Sequence, residues 1–126
     1  MEKQPYQIGV NIDTFYLEEQ SLPEQEQFVF AYTIKIKNLG TKAAKLLTRH
    51  WIITDANGKV EEVHGEGVVG KQPYLNPGEE FEYTSGAILE TPVGTMQGNY
   101  EILSNEGTRF NAEIPVFRLS VPNLLH

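Results

Sequence analysis

Three groups of residues in this chain have the types and spacing to do chemistry. The first, Gly65-Glu66-Gly67-Val68-Val69-Gly70, spells G-x-G-x-x-G and is followed directly by Lys71. In a dinucleotide fold this spacing lets the backbone approach a pyrophosphate, which rests on the N-terminus of a helix opening inside the motif. No such helix is expected here. Pro73 and Pro77 follow closely, and Asn76-Pro77-Gly78 is turn chemistry. Gly65, Gly67 and Gly70 therefore read as a loop that needs positive φ or close backbone approach. The remaining ligand chemistry is a weak anion nest of backbone N–H groups with Lys71 beside it.

The second group is His50 and His64, with Asp55, Glu61, Glu62 and Glu66 close in sequence. Imidazole and carboxylate together suit divalent first-row metals. Cooperation between the histidines depends on the register of the hairpin that separates them. A two-residue Asn57-Gly58 loop pairs His64 with Trp51 and leaves the imidazoles on opposite faces. A three-residue loop centred on Asn57 puts His50 directly across from His64. Asn-Gly prefers the two-residue form, so the expectation is two separate histidines, each bonded to backbone or solvent. Asp55-x-Asn57-Gly58 is no calcium loop, because its glycine comes too early and no helical pattern flanks it.

Third, Lys35, Lys37, Lys42, Lys45 and Arg49 bring five of the ten basic residues into fifteen positions. On one face they would form a basic patch for an acidic protein or a phosphate; on separate faces they are solvated strand positions that guard an edge. Hydrolase and phosphate-loop signatures are absent: there is no G-x-S-x-G, no H-E-x-x-H and no P-loop. No carboxylate is marked out as half of an acid/base pair. The expectation is a non-enzymatic protein with no cofactor.

These groups sit on a chain whose dominant signal is period-2 alternation, the mark of half-buried strands. Tyr6, Ile8, Val10 and Ile12 form the first run. Phe28, Phe30, Tyr32, Ile34 and Ile36 form the clearest one, opposed by Val29, Ala31, Thr33, Lys35 and Lys37. Between them, residues 17–27 carry four glutamates, three glutamines and a proline, and read as a solvated connection. A strand over about residues 44–54 holds the lone tryptophan, Trp51, and residues 59–64 return beside it. Residues 65–78, with four glycines and two prolines, read as a long ordered loop. Phe81, Tyr83, Ser85 and Ala87 face one way on a further strand. Residues 96–103 and 108–119 then flank Ser104-Asn105-Glu106-Gly107 as a last hairpin. The apolar end, Val116, Phe117, Leu119, Val121, Leu124 and Leu125, either completes the core or offers a homodimer surface.

Seven to eight strands, little or no helix and turns at regular spacing predict an all-β protein. The favoured form is a fibronectin type III/immunoglobulin-like two-sheet antiparallel sandwich, as a single domain over residues 1–126. A closed barrel is the alternative. The chain's 126 residues suffice for a real core without staples. The absence of cysteine excludes disulfides, thiolate metal sites and cysteine nucleophiles, and fits a reducing, cytoplasmic setting. A net charge of −7 argues against nucleic acid and anionic lipid as partners. No run approaches signal-peptide or membrane-span length, so membrane insertion is not expected.

Several ordered motifs resemble the ApaG family over essentially the whole chain. They are Arg49-His50-Trp51-Ile52-Ile53-Thr54-Asp55, Gly58, and the run from Glu62 through Gly70. Gln72-Pro73, Leu75-x-Pro77-Gly78, Tyr83-x-Ser85-Gly86 and Gly94-x-Met96-x-Gly98-x-Tyr100 continue the series. The resemblance implies a fibronectin type III-like sandwich. It also implies similarity to bacterial proteins called CorD, linked to cobalt resistance and magnesium efflux, and to a module appended to certain eukaryotic F-box proteins. A DNA-polymerase-delta-interacting protein carries a similar module. That usage looks like protein interaction, and the family supplies no catalytic residues to carry over. The expected role is a binding module acting through another protein in divalent-cation homeostasis. Direct binding of a metal at His50 and His64, or of a phosphate at Gly65 to Lys71, is the alternative.

Overall fold

In the computed structural model, which describes residues 4–122, the alternation resolves into eight strands. They are β1 (Ile8–Tyr16), β2 (Phe28–Asn38), β3 (Ala44–Asp55), β4 (Val60–Glu66), β5 (Tyr74–Leu75), β6 (Glu80–Leu89), β7 (Val93–Ser104) and β8 (Arg109–Ser120). The acidic connection after β1 folds into two three-residue 3-10 turns, Glu18–Gln20 and Pro23–Gln25. All strand pairs are antiparallel. One sheet has the order β1-β2-β6; the other has β4-β3-β7-β8, with β5 pairing β3 beyond the end of β4. This is the expected two-sheet sandwich. Among the described residues, no helix is long and apolar enough to cross a membrane.

The inner faces follow from the pleat. On β2, Phe30, Tyr32, Ile34 and Ile36 point inward and are buried. Trp51 on β3 reaches across the gap, its ring 5.4 Å from Tyr32 of the facing sheet and 5.8 Å from Phe117 of β8. Tyr100, Met96 and Ile102 of β7 fill the centre. Aromatic rings meeting edge to face add directional preference to the burial of their area. Phe117, Leu119 and Val121 join this core, whereas Val116 of the same apolar chain end is exposed. Leu124 and Leu125 lie outside the described residues.

The turn between β3 and β4 departs from expectation. Ala56, Asn57 and Gly58 form a three-residue loop, with Gly58 at φ +84°. The Gly58 N–H donates to the Asp55 carbonyl at 3.1 Å, and Asp55 N–H donates to the Lys59 carbonyl at 3.0 Å. The cause is Asp55. Its buried carboxylate accepts from the Asn57 and Lys59 N–H groups at 2.9 and 3.0 Å. Aspartate at the first position and glycine at the fourth are the residues a type I turn with a left-handed exit favours. Asp55-Ala56-Asn57-Gly58 satisfies that rule, and it outweighs the Asn-Gly preference. The register therefore shifts by one, and His50 pairs with His64 rather than Trp51 with His64.

Candidate functional site

Register places His50 and His64 side by side on the outer face of the larger sheet, near its β4 edge. Their rings stack, with centroids 4.1 Å apart and planes 9° from parallel. Glu62, two residues before His64, shares that face. Its Oε2 lies 3.9 Å from His50 Nε2 and 3.8 Å from His64 Nε2. One ligand atom from each residue can be chosen so that all three lie within 4.8 Å of one another. Two imidazoles and a carboxylate are donors that suit late first-row divalent ions. The site side of each residue differs: the His64 side chain is 70% exposed, whereas that of His50 is 27% exposed.

A row across the sheet holds His50 in place. It pairs with Asn99 of β7, and Asn99 pairs with Glu113 of β8. Asn99 turns its side-chain oxygen to His50 Nδ1 at 3.3 Å, while its Nδ2 donates to Asn111 Oδ1 at 3.4 Å. Below this row, Gly98 lets β7 approach closely, since a Cβ there would sit 1.9 Å from the His50 carbonyl oxygen. Sequence reasoning named Glu62 only as a nearby acid and missed Asn99. Local spacing holds no signal for Asn99, because its place depends on strands fifty residues apart in the chain.

The glycine-rich motif follows directly from His64 but is put to a different use. It opens no helix. Val68 and Lys71 exchange backbone hydrogen bonds at 2.8 and 2.9 Å around a two-residue turn, with Val69 at φ +43° and Gly70 at φ +80°. Positive φ at both positions is the primed turn that suits a twisted hairpin. Gly67 has φ +61°, donates to the Leu47 carbonyl, and would collide with the Lys71 carbonyl if it carried a Cβ. At Gly65 a Cβ would strike the guanidinium of Arg49, which lies over it and donates from Nη1 to the Glu66 and Gly67 carbonyls, both at 3.0 Å. The N–H groups of Gly67, Val68 and Lys71 thus already serve protein carbonyls. The turn tip, with the exposed Lys71, is what the motif leaves for an anion.

Arg49 points inward, so the five basic residues do not share a face. Lys35 and Lys37 lie on the outer face of the smaller sheet opposite Glu82 and Glu80. Lys42 sits 3.8 Å from Glu106. Near Arg49, burial pushes the Tyr83 and Tyr100 hydroxyls far above the ordinary tyrosine range, and the two hydrogen-bond each other. Both therefore stay neutral, and Arg49 is held by carbonyls rather than by a phenolate.

The smaller sheet has an apolar end on its outer face. Phe15 of β1 pairs with Ala31 of β2, and Ala31 with Gly86 of β6; in the next row Val29 pairs with Ile88. Phe15 is 51% exposed and Ile88 66%. Sequence reasoning passed over both. The available signal was an isoleucine at the polar phase of its strand, between the inward Ala87 and Leu89.

Comparisons with known proteins point one way. A family description of the ApaG domain matches residues 18–104. The chain is 58% identical to the Protein ApaG of Thiobacillus denitrificans over 99% of this chain and 98% of that one. It is 54% identical to the Protein ApaG of Yersinia pseudotuberculosis over the full length of both. A crystal structure of a Bordetella pertussis protein described as ApaA superposes with a TM-score of 0.95 at 49% identity, covering 98% of this chain and all of that one.

Proposed function

The chain belongs to the ApaG domain family, and we propose that it is a non-enzymatic binding module that works by docking another protein through the apolar end of its smaller sheet. The exposed Phe15 and Ile88, flanking Val29, Ala31 and Gly86 on one face, carry this reading. Small-molecule sites are concave and enclosing, whereas a sheet face bearing large apolar side chains suits a protein surface. The relatives are named for the family rather than for a reaction, which fits a module. The setting proposed is divalent-cation homeostasis, cobalt or magnesium, as the family resemblance implies. The compartment proposed is the cytoplasm.

The test is quantitative co-purification of the full chain from cobalt- or magnesium-stressed cells, comparing wild type with Phe15→Lys and Ile88→Lys. Val60→Lys, at an exposed apolar residue on the other sheet, serves as the control. A protein retained by wild type and the control, lost from both sheet variants, and binding again when purified components are mixed supports the proposal. An identical set of captured proteins for all four chains overturns it. Sedimentation of wild type as a dimer, with both sheet variants monomeric, would replace the partner with a second copy of this chain.

A further inference from the structure

The outer face of the larger sheet carries a feature that protein docking on the smaller sheet does not require. His50 Nε2 is buried and has no hydrogen-bond partner among the described residues. Its other nitrogen, Nδ1, meets the side-chain oxygen of Asn99 at 3.3 Å. That oxygen can only accept, so the proton of a neutral His50 belongs on Nδ1. Asn99 is kept in this orientation by its own donation to Asn111. The lone pair of His50 therefore resides on the buried Nε2, aimed toward a carboxylate oxygen 3.9 Å away. Two acceptors facing each other across that gap repel unless a proton or a metal cation lies between them. The same oxygen stands 3.8 Å from His64 Nε2, whose ring is stacked on His50.

We propose that His50, Glu62 and His64 form a binding site for one late first-row divalent cation of the zinc, nickel, cobalt or copper class. The ligands are Nε2 of each imidazole and a carboxylate oxygen of Glu62, with the remaining positions open to water on the exposed side. Asn99 is a positioning residue that sets the His50 tautomer, the outer-shell hydrogen bond that metal-ligating histidines regularly make. Dimensions agree with this assignment. Donors about 2.1 Å from a tetrahedral ion lie roughly 3.4 Å apart, so the two gaps from Glu62 to the imidazoles, 3.8 and 3.9 Å, need to close by a few tenths of an ångström, and the stacked, near-parallel rings must tilt for both lone pairs to converge on the ion. Charge agrees as well: Glu62 and Glu66 of β4, Glu101 of β7 and Glu113 of β8 share the face, with Arg109 beside Glu101. Magnesium is excluded as the preferred ion, because it favours an octahedral shell of oxygens. The site ties edge strand β4 to β3 across the pair, so an ion would also fasten the open edge of the sheet.

Titration calorimetry of the tag-free chain with zinc and nickel, with His126→Ala in every arm to remove the terminal imidazole, tests the proposal. One ion per chain is expected, unaffected by millimolar magnesium. His64→Ala and Glu62→Gln lie at exposed positions and should fold normally while losing at least about tenfold in affinity. Asn99→Ala should lose about 10- to 100-fold while keeping the stoichiometry, the range typical of outer-shell partners. Proton spectra of the imidazoles should show both rings perturbed at one equivalent of zinc. Absence of saturable binding, full retention of affinity in both His64→Ala and Glu62→Gln, or equal competition by magnesium would each overturn it.

Discussion

The histidine pair and the glycine-rich hairpin meet at the His64–Gly65 bond, yet they differ in what the fold leaves unused. In the hairpin every conspicuous residue is consumed by geometry: Gly67 and Gly70 supply positive φ, and Gly65 makes room for Arg49. Its backbone donors at Gly67, Val68 and Lys71 are already bonded. In the histidine pair the reverse holds, since His50 keeps a buried nitrogen without a hydrogen-bond partner among the described residues and faces a carboxylate. A motif that stands out in sequence can be structural throughout. Two isolated histidines can hold the unfilled valence.

The sharpest way to break this contrast is Gly67→Ala. A Cβ there meets the Lys71 carbonyl at 2.2 Å in a backbone conformation with φ +61°, so a loss of about 3 kcal/mol is expected. Gly70→Ala, with open space around it, should cost only about 1 kcal/mol. Equal and small losses, measured by urea unfolding, would show that the hairpin is not what the glycines are for. Next in size is Asp55→Ala, which removes the acceptor of two N–H groups and should cost about 2 kcal/mol. It should also weaken the contact between the His50 and His64 rings, read as loss of their mutual NMR cross-peaks. Unchanged cross-peaks would mean that Asp55 is not what sets the register. The smallest effect runs the other way. Val69 is β-branched and sits at φ +43° on an exposed turn, so Val69→Gly should raise stability by about 1 kcal/mol in the same unfolding assay. A drop instead would assign the Val69 side chain a packing role that outweighs its strain.

Much of the fold was legible because its cause is local. Phe30, Tyr32, Ile34 and Ile36 alternate with Ala31, Thr33 and Lys35, and a pleated strand must send those two sets to opposite faces. The solvated connection at 17–27 and the absence of a helix after Gly70 were readable for the same reason. The histidine pair was legible only as a choice between two registers. Both turn signals lie within Asp55-Ala56-Asn57-Gly58, and the reading favoured Asn-Gly over the aspartate-to-glycine spacing. The five basic residues were misleading in another way. Strand alternation alone cannot say that Arg49 turns inward to cap the Glu66 and Gly67 carbonyls while Lys35 and Lys37 face out on the other sheet.

By itself, then, the sequence determined the all-β class, the approximate spans of the longer strands and the inward faces of β2 and β6, because period-2 patterning and turn chemistry act between near neighbours. Tertiary structure decided the site. The loop that pairs His50 with His64 is anchored from outside the hairpin, with the Ala56 N–H donating to Thr91 Oγ1 at 3.0 Å and Thr91 donating in turn to the Val93 carbonyl. Asn99 reaches His50 only because β7 lies beside β3 in that register. A one-residue slip in either pairing would send these side chains to opposite faces. The Asn99 contact is therefore set by how β7 pairs with β3 in the sheet, and no spacing along the chain records it.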